Sequence, residues 1–345
     1  MTQFIQPTDI NDKGNELEAL NGMEKTVHVF DADSVAAVNA ALAAKRPLLV
    51  RGEPGIGKSQ LARAAADVLG RAFVSFTVDN RTESHELMWQ FDAVARLAEA
   101  QLVGVSYTSK DNGKTNRATD PRESLDMKHF ISPGPLWWAL NWRLADERKG
   151  KGTTRCMVHQ SDNCKPENGT VVLIDEIDKA DASVPNGLLE CLGNRSFTCC
   201  DGIRVTQQEG EPPLVVVTTN EERALPDPFL RRCVVLQLLL PELPDKRADF
   251  VNRLTLLGRA HDAERKLSDD VLQDAAGMLA DDRIAIDELG LSPPGCAEYL
   301  DLLEALKELH EESSGIKEMM ENLRLFFYRK HKETVSWARK KIGGP

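Results

Sequence analysis

The chain has 345 residues, which corresponds to two or three domains at the usual size of roughly 150 residues each. Hydrophobic residues make up 41% and charged residues 28%, which excludes a largely disordered chain and a small disulfide-stapled protein. With 43 Lys and Arg against 54 Asp and Glu, the formal net charge of −11 argues against a protein that coats duplex DNA through bulk electrostatics.

The first 28 residues are polar and rich in Asn, Asp and Glu, so we predict a loose N-terminal extension over residues 1–28. This stretch lacks the apolar core of a signal peptide, and the longest apolar run, Cys233 to Leu240, is too short to span a bilayer. We therefore expect a cytoplasmic protein with no membrane insertion.

Residues 29–243 alternate short apolar runs with amphipathic stretches, which is typical of an α/β domain with a mostly parallel sheet. Runs such as VVLID and LVVVTT are continuously apolar, as expected of central strands that are covered on both faces. The predicted strands are Pro47–Arg51, Ala72–Val78, Thr170–Asp175, Leu214–Thr219 and Cys233–Leu239.

A glycine-rich motif follows the first of these strands and precedes a predicted helix, residues 60–69. It reads GEPGIGKS and matches G-x-x-x-x-G-K-[ST], whose glycines let successive backbone N–H groups face phosphate oxygens. Lys58 would reach the β and γ phosphates, and Ser59 would bind Mg²⁺. The alternative is a glycine-rich turn that binds nothing. The candidate nucleotide-binding residues are Gly52, Glu53, Pro54, Gly55, Ile56, Gly57, Lys58, Ser59 and Gln60.

Adjacent carboxylates end the buried strand in VVLIDEID, residues 171–178. Carboxylates at a strand tip require a cation or a chemical role, because burying them costs free energy. Asp175 would hold Mg²⁺ or its water shell, and Glu176 would polarise the attacking water as general base. The alternative is an ordinary exposed acidic loop.

Two further polar features follow. The strand LVVVTT ends in Asn220, an uncharged side chain placed to orient water near the γ-phosphate. Arg231 and Arg232 then end a short predicted helix in ALPDPFLRRC. They are either simple surface charge or cations that neutralise a phosphoryl group bound to a neighbouring subunit, which requires an oligomer.

The ordered set GEPGIGKS, LIDEID, TTN and LPDPFLRRC resembles the AAA+ ATPase superfamily. The stretches FDAVARLAEAQ, SPGPLWWAL and LIDEIDKAD resemble its MoxR-like branch. The resemblance covers roughly residues 29–300. It implies a P-loop NTPase three-layer αβα core with a parallel five-stranded sheet of order 5-1-4-3-2 and a small all-α lid. It also implies assembly as a hexameric ring with ATP bound between subunits.

The same resemblance implies the roles of individual residues. Lys58 and Ser59 correspond to the Walker A pair, and Asp175 and Glu176 to the Walker B pair. Asn220 corresponds to sensor 1. Arg232 is the first choice for the arginine finger, with Arg231 beside it.

The chain departs from a minimal core in its spacing. Lys58 and Asp175 lie 117 residues apart, whereas the intervening elements need only about 60 residues. We predict two insertions, a helix-2 insert over about residues 82–133 and a hydrophilic insertion over about residues 149–168. Trp138 and Trp142, after the first insert, share a helical face and predict core packing rather than substrate contact, while Trp89 leaves both interpretations open.

Residues 244–345 are predicted to form the helical lid. Ser268 can cap a helix, and Tyr299, Leu302, Leu303, Leu306 and Leu309 follow an amphipathic helical spacing. MoxR-like sequences usually carry an arginine in a Ser-Pro-Arg stretch, but residues 292–296 read SPPGC, which puts rapid hydrolysis in doubt. Arg283 or Arg259 are the possible substitutes.

The last predicted helix is divided by charge. It is acid-rich from Glu298 to Glu321 and basic from Arg324 to Lys341. The basic part is either a solvated face at a helix C-terminus or a docking surface for an acidic partner or nucleic acid.

The seven cysteines are an odd number and include no CxxC pair, so we expect reduced, structural thiols. A metal site of Cys156, Cys164 and His159 is the alternative.

Three functions compete. The first is a Mg²⁺-dependent ring ATPase that remodels a protein client, and the MoxR-like resemblance suggests a client with a von Willebrand factor A-type domain. The second is a nucleic-acid-directed motor or defence component, and the third is a slow-turnover ATP-binding scaffold.

Overall fold

The computed structural model describes residues 3–6, 14–19, 25–108, 125–148, 154–161, 163–309 and 315–330. The chain divides into two compact units. The first comprises residues 1–5, 36–50 and 62–236, and the second comprises residues 6–35, 51–61 and 237–345. Among the described residues, none of the helices combines the length and the apolar content needed to cross a membrane.

The N-terminal part of the chain alternates short strands and helices, with 3₁₀ turns at Ser84–Leu87 and Met127–Phe130. Its elements are β1 (Asn15–Leu17), β2 (Thr26–His28), α1 (Ala32–Ala44), β3 (Leu48–Arg51), α2 (Lys58–Val68), β4 (Arg71–Thr77), β5 (Trp89–Phe91), α3 (Ala93–Thr108), β6 (Ile131–Pro133), α4 (Pro135–Leu140) and α5 (Trp142–Glu147).

The C-terminal part contains the remaining strands and then helices only, with a 3₁₀ turn at Ile177–Lys179. Its elements are β7 (Met157–His159), β8 (Lys165–Asp175), α6 (Ser183–Asn194), β9 (Ser196–Thr198), β10 (Arg204–Thr206), β11 (Leu214–Thr219), α7 (Asp227–Leu230), β12 (Val234–Gln237), α8 (Arg247–His261), α9 (Asp269–Asp287), α10 (Cys296–Leu309) and α11 (Ile316–Phe327).

The main sheet has six strands in the order β12-β3-β11-β8-β4-β7. Strands β11 and β4 pair with β8 in parallel, whereas β7 at the edge pairs with β4 antiparallel. The sheet is therefore mixed and six-stranded, not the predicted parallel sheet of five. The additional strand lies within the predicted hydrophilic insertion, where three residues gain backbone hydrogen bonds from the edge of β4.

The five predicted strands are confirmed, with ends that differ by a few residues. All six residues of β11 are buried, as are residues 169–174 of β8, so both strands are covered on both faces as their continuous apolar runs predict. Strand β8 begins five residues before the predicted start, at Lys165, because its exposed first residues extend into the insertion.

The core of the first unit combines aliphatic side chains with a few aromatic ones. Trp138 packs edge-on against Trp142, with ring centroids 4.8 Å apart, and Trp137 packs on Phe197 at 5.7 Å. The predicted core role of Trp138 and Trp142 is therefore confirmed. Trp89 is half-buried and its ring lies 4.6 Å from that of His85.

The second unit contains the β1–β2 hairpin and a helical core. The predicted cap at Ser268 is confirmed, because its hydroxyl accepts a hydrogen bond from the N–H of Val271 at 3.4 Å. Tyr299 and Leu302, Leu303 and Leu306 are buried as predicted, but Leu309 is 57% exposed. Leu309 is the last residue of α10, where the helix leaves the core.

The prediction of a single charge-divided helix from Glu298 onward is wrong, because α10 and α11 are separate helices. The described part of its basic half is also not a free face. Arg324 donates to the carboxylate of Asp282 through Nε at 2.6 Å and Nη2 at 2.9 Å, and Arg329 donates to it through Nε at 2.9 Å. Residues 331–345 of the predicted basic helix lie outside the described residues.

Candidate functional site

The glycine-rich loop occupies residues 52–57, between the end of β3 and the start of α2. Its glycines have positive φ angles of 150° at Gly52, 76° at Gly55 and 99° at Gly57, a region that other residues rarely adopt. A Cβ at Gly52 would also lie 2.6 Å from the carbonyl oxygen of Leu238. The loop conformation therefore requires glycine for both its dihedral angles and its close packing.

The ammonium group of Lys58 lies over this loop. It donates to the carbonyl oxygens of Gly52 at 2.8 Å and Glu53 at 2.9 Å, and the residue is buried. The first intrahelical hydrogen bond of α2 runs from the N–H of Leu61 to the carbonyl of Gly57. The N–H groups of residues 58–60 thus precede that bond, at the helix end whose backbone donors bind anions.

This loop fits a phosphate chain. Its donors are backbone N–H groups, one ammonium and the hydroxyl of Ser59, and a Cβ built at Gly57 would meet no atom within 4 Å. The space beside Gly57 is therefore open. The predicted residues 52–60 lie together in the second unit.

The two predicted carboxylates are positioned by a threonine that the sequence analysis missed. The hydroxyl of Thr218 donates to Oδ1 of Asp175 and accepts a hydrogen bond from the N–H of Glu176 at 2.9 Å. Thr218 is fully buried at the end of β11, the parallel neighbour of β8. One hydroxyl therefore fixes the positions of both acidic residues relative to β11.

Glu176 is held in a left-handed backbone conformation, with φ of 60°. Its Oε1 accepts a hydrogen bond from Nδ2 of Asn220 at 3.4 Å, and its Oε2 accepts one from Nζ of Lys179. This second bond raises the pKa of Lys179 above its usual value. The structure thus brings Asp175, Glu176 and Asn220 together, and it adds Lys179, whose position three residues after Glu176 was the available sequence signal.

Arg231 and Arg232 follow α7 and are both exposed. Nη1 of Arg46 donates to the carbonyl oxygen of Arg231 at 3.4 Å, which links the segment before β3 to the segment before β12. Within the described residues, no ion pair of Arg231 or Arg232 is found. Their side chains are therefore available to a second molecule.

A basic cavity of about 440 Å³ lies on the first unit. Lys45, Arg195 and Arg204 line it together with uncharged polar residues and one acid, Glu209. All three cations are exposed, and no carboxylate pairs with them among the residues that the structure describes. The acidic chain therefore carries a local concentration of positive charge.

Residues 47–233 match the family model of the AAA domain, dynein-related subfamily. The chain belongs to this AAA family. Its fold is the P-loop AAA+ α/β fold with a mixed six-stranded sheet and helices. Family membership implies nucleotide binding.

Two solved structures are similar to this AAA protein. A candidate ATPase from Cytophaga hutchinsonii has 12% sequence identity and a TM-score of 0.34, covering 86% of this chain and 79% of that chain. A single-residue variant of RuvB from Thermotoga maritima has 14% identity and a TM-score of 0.41, covering 85% of this chain and 69% of that chain. No curated protein sequence matches the chain.

Oxygen donors of the AAA domain suit Mg²⁺, since Ser59 supplies a hydroxyl and Asp175 a carboxylate. Among the described residues, no cluster of three or more His, Cys, Asp or Glu side chains forms a metal site, so Cys156, Cys164 and His159 do not provide one. Burial raises the pKa of Cys156 to about 12, which disfavours the thiolate that metals bind.

All seven cysteines lie in the described part of the chain, and none forms a disulfide. Six are buried and Cys200 is exposed. The prediction of reduced, structural thiols agrees with this arrangement.

Proposed function

We propose that the chain is a Mg²⁺-dependent ATPase of the MoxR-like branch, which assembles as a hexameric ring and remodels a partner protein. The hydrogen-bonded set in which Thr218 contacts Asp175 and Glu176, and Asn220 contacts Glu176, carries the proposal. A carboxylate pair with an oriented amide is the set that water activation requires. The glycine-rich loop supplies the phosphate-binding part.

In the proposed reaction, residues 52–60 hold the phosphate chain through backbone N–H groups and Lys58. Ser59 and Asp175 would hold Mg²⁺, which neutralises phosphate charge when bound. Glu176 orients the attacking water and takes its proton at a carboxylate oxygen, while Asn220 and Lys179 keep that carboxylate in place.

Arg232, with Arg231 beside it, is proposed to act on ATP bound by a neighbouring subunit. Support comes from the exposure of both side chains and from the missing ion-pair partners among the described residues. A guanidinium offers the planar donor fork that phosphate oxygens accept. This assignment requires the proposed ring.

A protein client is supported by the predicted helix-2 insert. Its helix α3 exposes Val94 by 78%, Leu97 by 60% and Leu102 by 64%. Exposed apolar side chains grouped on one helix are typical of protein-binding surfaces. A client with a von Willebrand factor A-type domain is proposed on the MoxR-like resemblance.

An ATPase assay on the full chain tests the proposal with Lys58→Ala and Glu176→Gln. We expect Glu176→Gln to bind ATP but to hydrolyse it at least about 100-fold more slowly, because it lacks the general base. Lys58→Ala should lose ATP binding. Electron microscopy with ATP and Mg²⁺ should show rings. A monomer under those conditions contradicts the in-trans arginine, and ATP binding with assembly but negligible turnover identifies the slow-turnover scaffold.

The basic cavity favours nucleic acid as a second candidate function. Lys45, Arg195 and Arg204 would make three phosphate contacts. A plot of the logarithm of the binding constant against the logarithm of the salt concentration should then have a slope of about −2 to −3. Replacing all three residues by Ala should abolish this binding. The C-terminal cations at 339–341, which were predicted as an alternative nucleic-acid surface, lie outside the described residues.

A further inference from the structure

Arg283, on α9, lies against the glycine-rich loop. Its Nη2 donates to both carboxylate oxygens of Glu53, at 2.9 and 3.0 Å. Its Nη1 donates to the carbonyl oxygen of Pro294 at 2.5 Å, and the guanidinium lies 5.8 Å from the ring centroid of Phe250. The side chain is only 11% exposed. A largely buried cation is thus fixed against the loop that is proposed to bind phosphate.

Glu53 connects this cation to the second cation of the loop. Its carbonyl oxygen accepts a hydrogen bond from Lys58, while its carboxylate binds Arg283. The Glu53 side chain is 48% exposed and borders, together with Arg283, a cavity of about 510 Å³. The carboxylate can therefore leave the guanidinium for open space without displacing packed atoms.

Carboxylate and phosphate oxygens compete for the same donors. Both accept two parallel N–H bonds from a guanidinium, and a phosphate chain offers more oxygens and more negative charge than one carboxylate. Because Glu53 belongs to the phosphate-binding loop, its carboxylate and a phosphate chain held by that loop are alternative partners for Arg283.

The other arginine considered as a lid cation has a different environment. Nε of Arg259 donates to Asp269 at 2.7 Å, and both side chains are largely exposed. No contact of Arg259 with the glycine-rich loop is found among the described residues. Of the two arginines, Arg283 is the one that the structure places on the loop.

We propose that Arg283 is a phosphate-binding residue of the nucleotide site and that Glu53 is its competing anion. The phosphate chain replaces the Glu53 carboxylate on the guanidinium, so that α9 responds to nucleotide even though residues 292–296 lack an arginine. This inference rests on the proposed function, since it requires the loop to bind ATP.

Competition predicts opposite effects from the two partners of one ion pair. Arg283→Gln removes a phosphate ligand and should weaken ATP binding by about tenfold or more. Glu53→Gln removes the competitor and should tighten ATP binding by about threefold or more. A purely structural ion pair predicts instead that both substitutions loosen the loop and weaken binding.

The measurement is equilibrium binding of a fluorescent ATP analogue to the full chain at fixed ionic strength, which needs no turnover. Arg259→Gln and Arg247→Gln are matched controls, because each removes an arginine from an exposed ion pair. The partner of Arg247 is Asp281, at 2.8 Å, which lies on α9 like Arg283. Both controls should bind the analogue like the wild type. Thermal unfolding of each variant verifies that it folds.

The outcomes separate this inference from the proposed function. Weaker binding by Arg283→Gln with tighter binding by Glu53→Gln supports the inference, whereas equal weakening or no change overturns it. If Arg283→Gln does not fold, Glu53→Gln decides the test: tighter binding of the analogue supports the inference, and weaker or unchanged binding overturns it. Arg283→Lys should then bind the analogue more weakly than the wild type but still measurably. Wild-type protein that does not bind the analogue refutes the proposed function itself.

Discussion

Replacement of Asp282 by Asn should destabilise the second unit strongly. The Asp282 side chain is 2% exposed and accepts three N–H bonds from two guanidiniums, those of Arg324 and Arg329, which are 12% and 9% exposed. Each bond to a charged group contributes roughly 1.5–3 kcal/mol, and Asn removes the negative charge that the two largely buried guanidiniums share. Arg324 keeps its ion pair with Glu321, whose side chain is 55% exposed. We expect the free energy of unfolding to fall by about 3–5 kcal/mol.

Urea unfolding of the full chain, followed by circular dichroism, measures this loss. Asp281→Asn is the matched control, because Asp281 is the preceding residue and pairs with Arg247 at 2.8 Å, but its side chain is 57% exposed. The control should cost under about 1 kcal/mol, as exposed ion pairs do. If the two substitutions have equal costs, burial does not determine the strength of the Asp282 ion pairs and the reasoning is refuted.

Three further predictions concern the acidic residues, the glycine-rich loop and a buried histidine. Thr218→Val should leave ATP binding intact but slow turnover by about tenfold or more, since it removes the hydroxyl that holds both acidic residues, and steady-state kinetics would show this. Gly55→Ala should lower the unfolding temperature more than Gly57→Ala does. A Cβ at Gly55 would lie 2.7 Å from the Cβ of Ala297, whereas one at Gly57 would meet no atom within 4 Å. Burial lowers the pKa of His28 from 6.5 to about 4, so the unfolded state takes up the proton at a higher pH than the folded state does. The free energy of unfolding should therefore fall by up to about 3 kcal/mol as the pH drops from 6.5 to 4. Unfolding measured as a function of pH should show this loss in the wild type but not in His28→Phe.

The loop and the acidic strand end could be predicted from the sequence because each depends on neighbouring residues. Gly52 to Ser59 form a continuous motif, and Asp175 follows directly on an apolar run. The role of Thr218 could not be predicted in this way. It depends on the register of β11 and β8, which pairs Val217 with Ile174 and so places Thr218 beside Asp175.

The remaining errors also come from contacts between distant residues. Asp282 pairs with Arg324 and Arg329, 42 and 47 residues further along the chain, so two cations assigned to a solvated or docking face are part of a core. The edge strand Met157–His159 gains its hydrogen bonds from β4, and its own three residues are too few to show a strand pattern. Charge and periodicity describe a segment alone and not its partner.

The distribution of the seven thiols makes the folded protein a selective target for alkylating reagents. Cys200 is exposed, whereas burial raises the pKa of Cys156, Cys191 and Cys199 to about 12 and that of Cys296 to about 11. A maleimide dye should therefore attach at one position, at the turn between β9 and β10, without mutagenesis. The rate at which the other six thiols react then reports how often each unit opens.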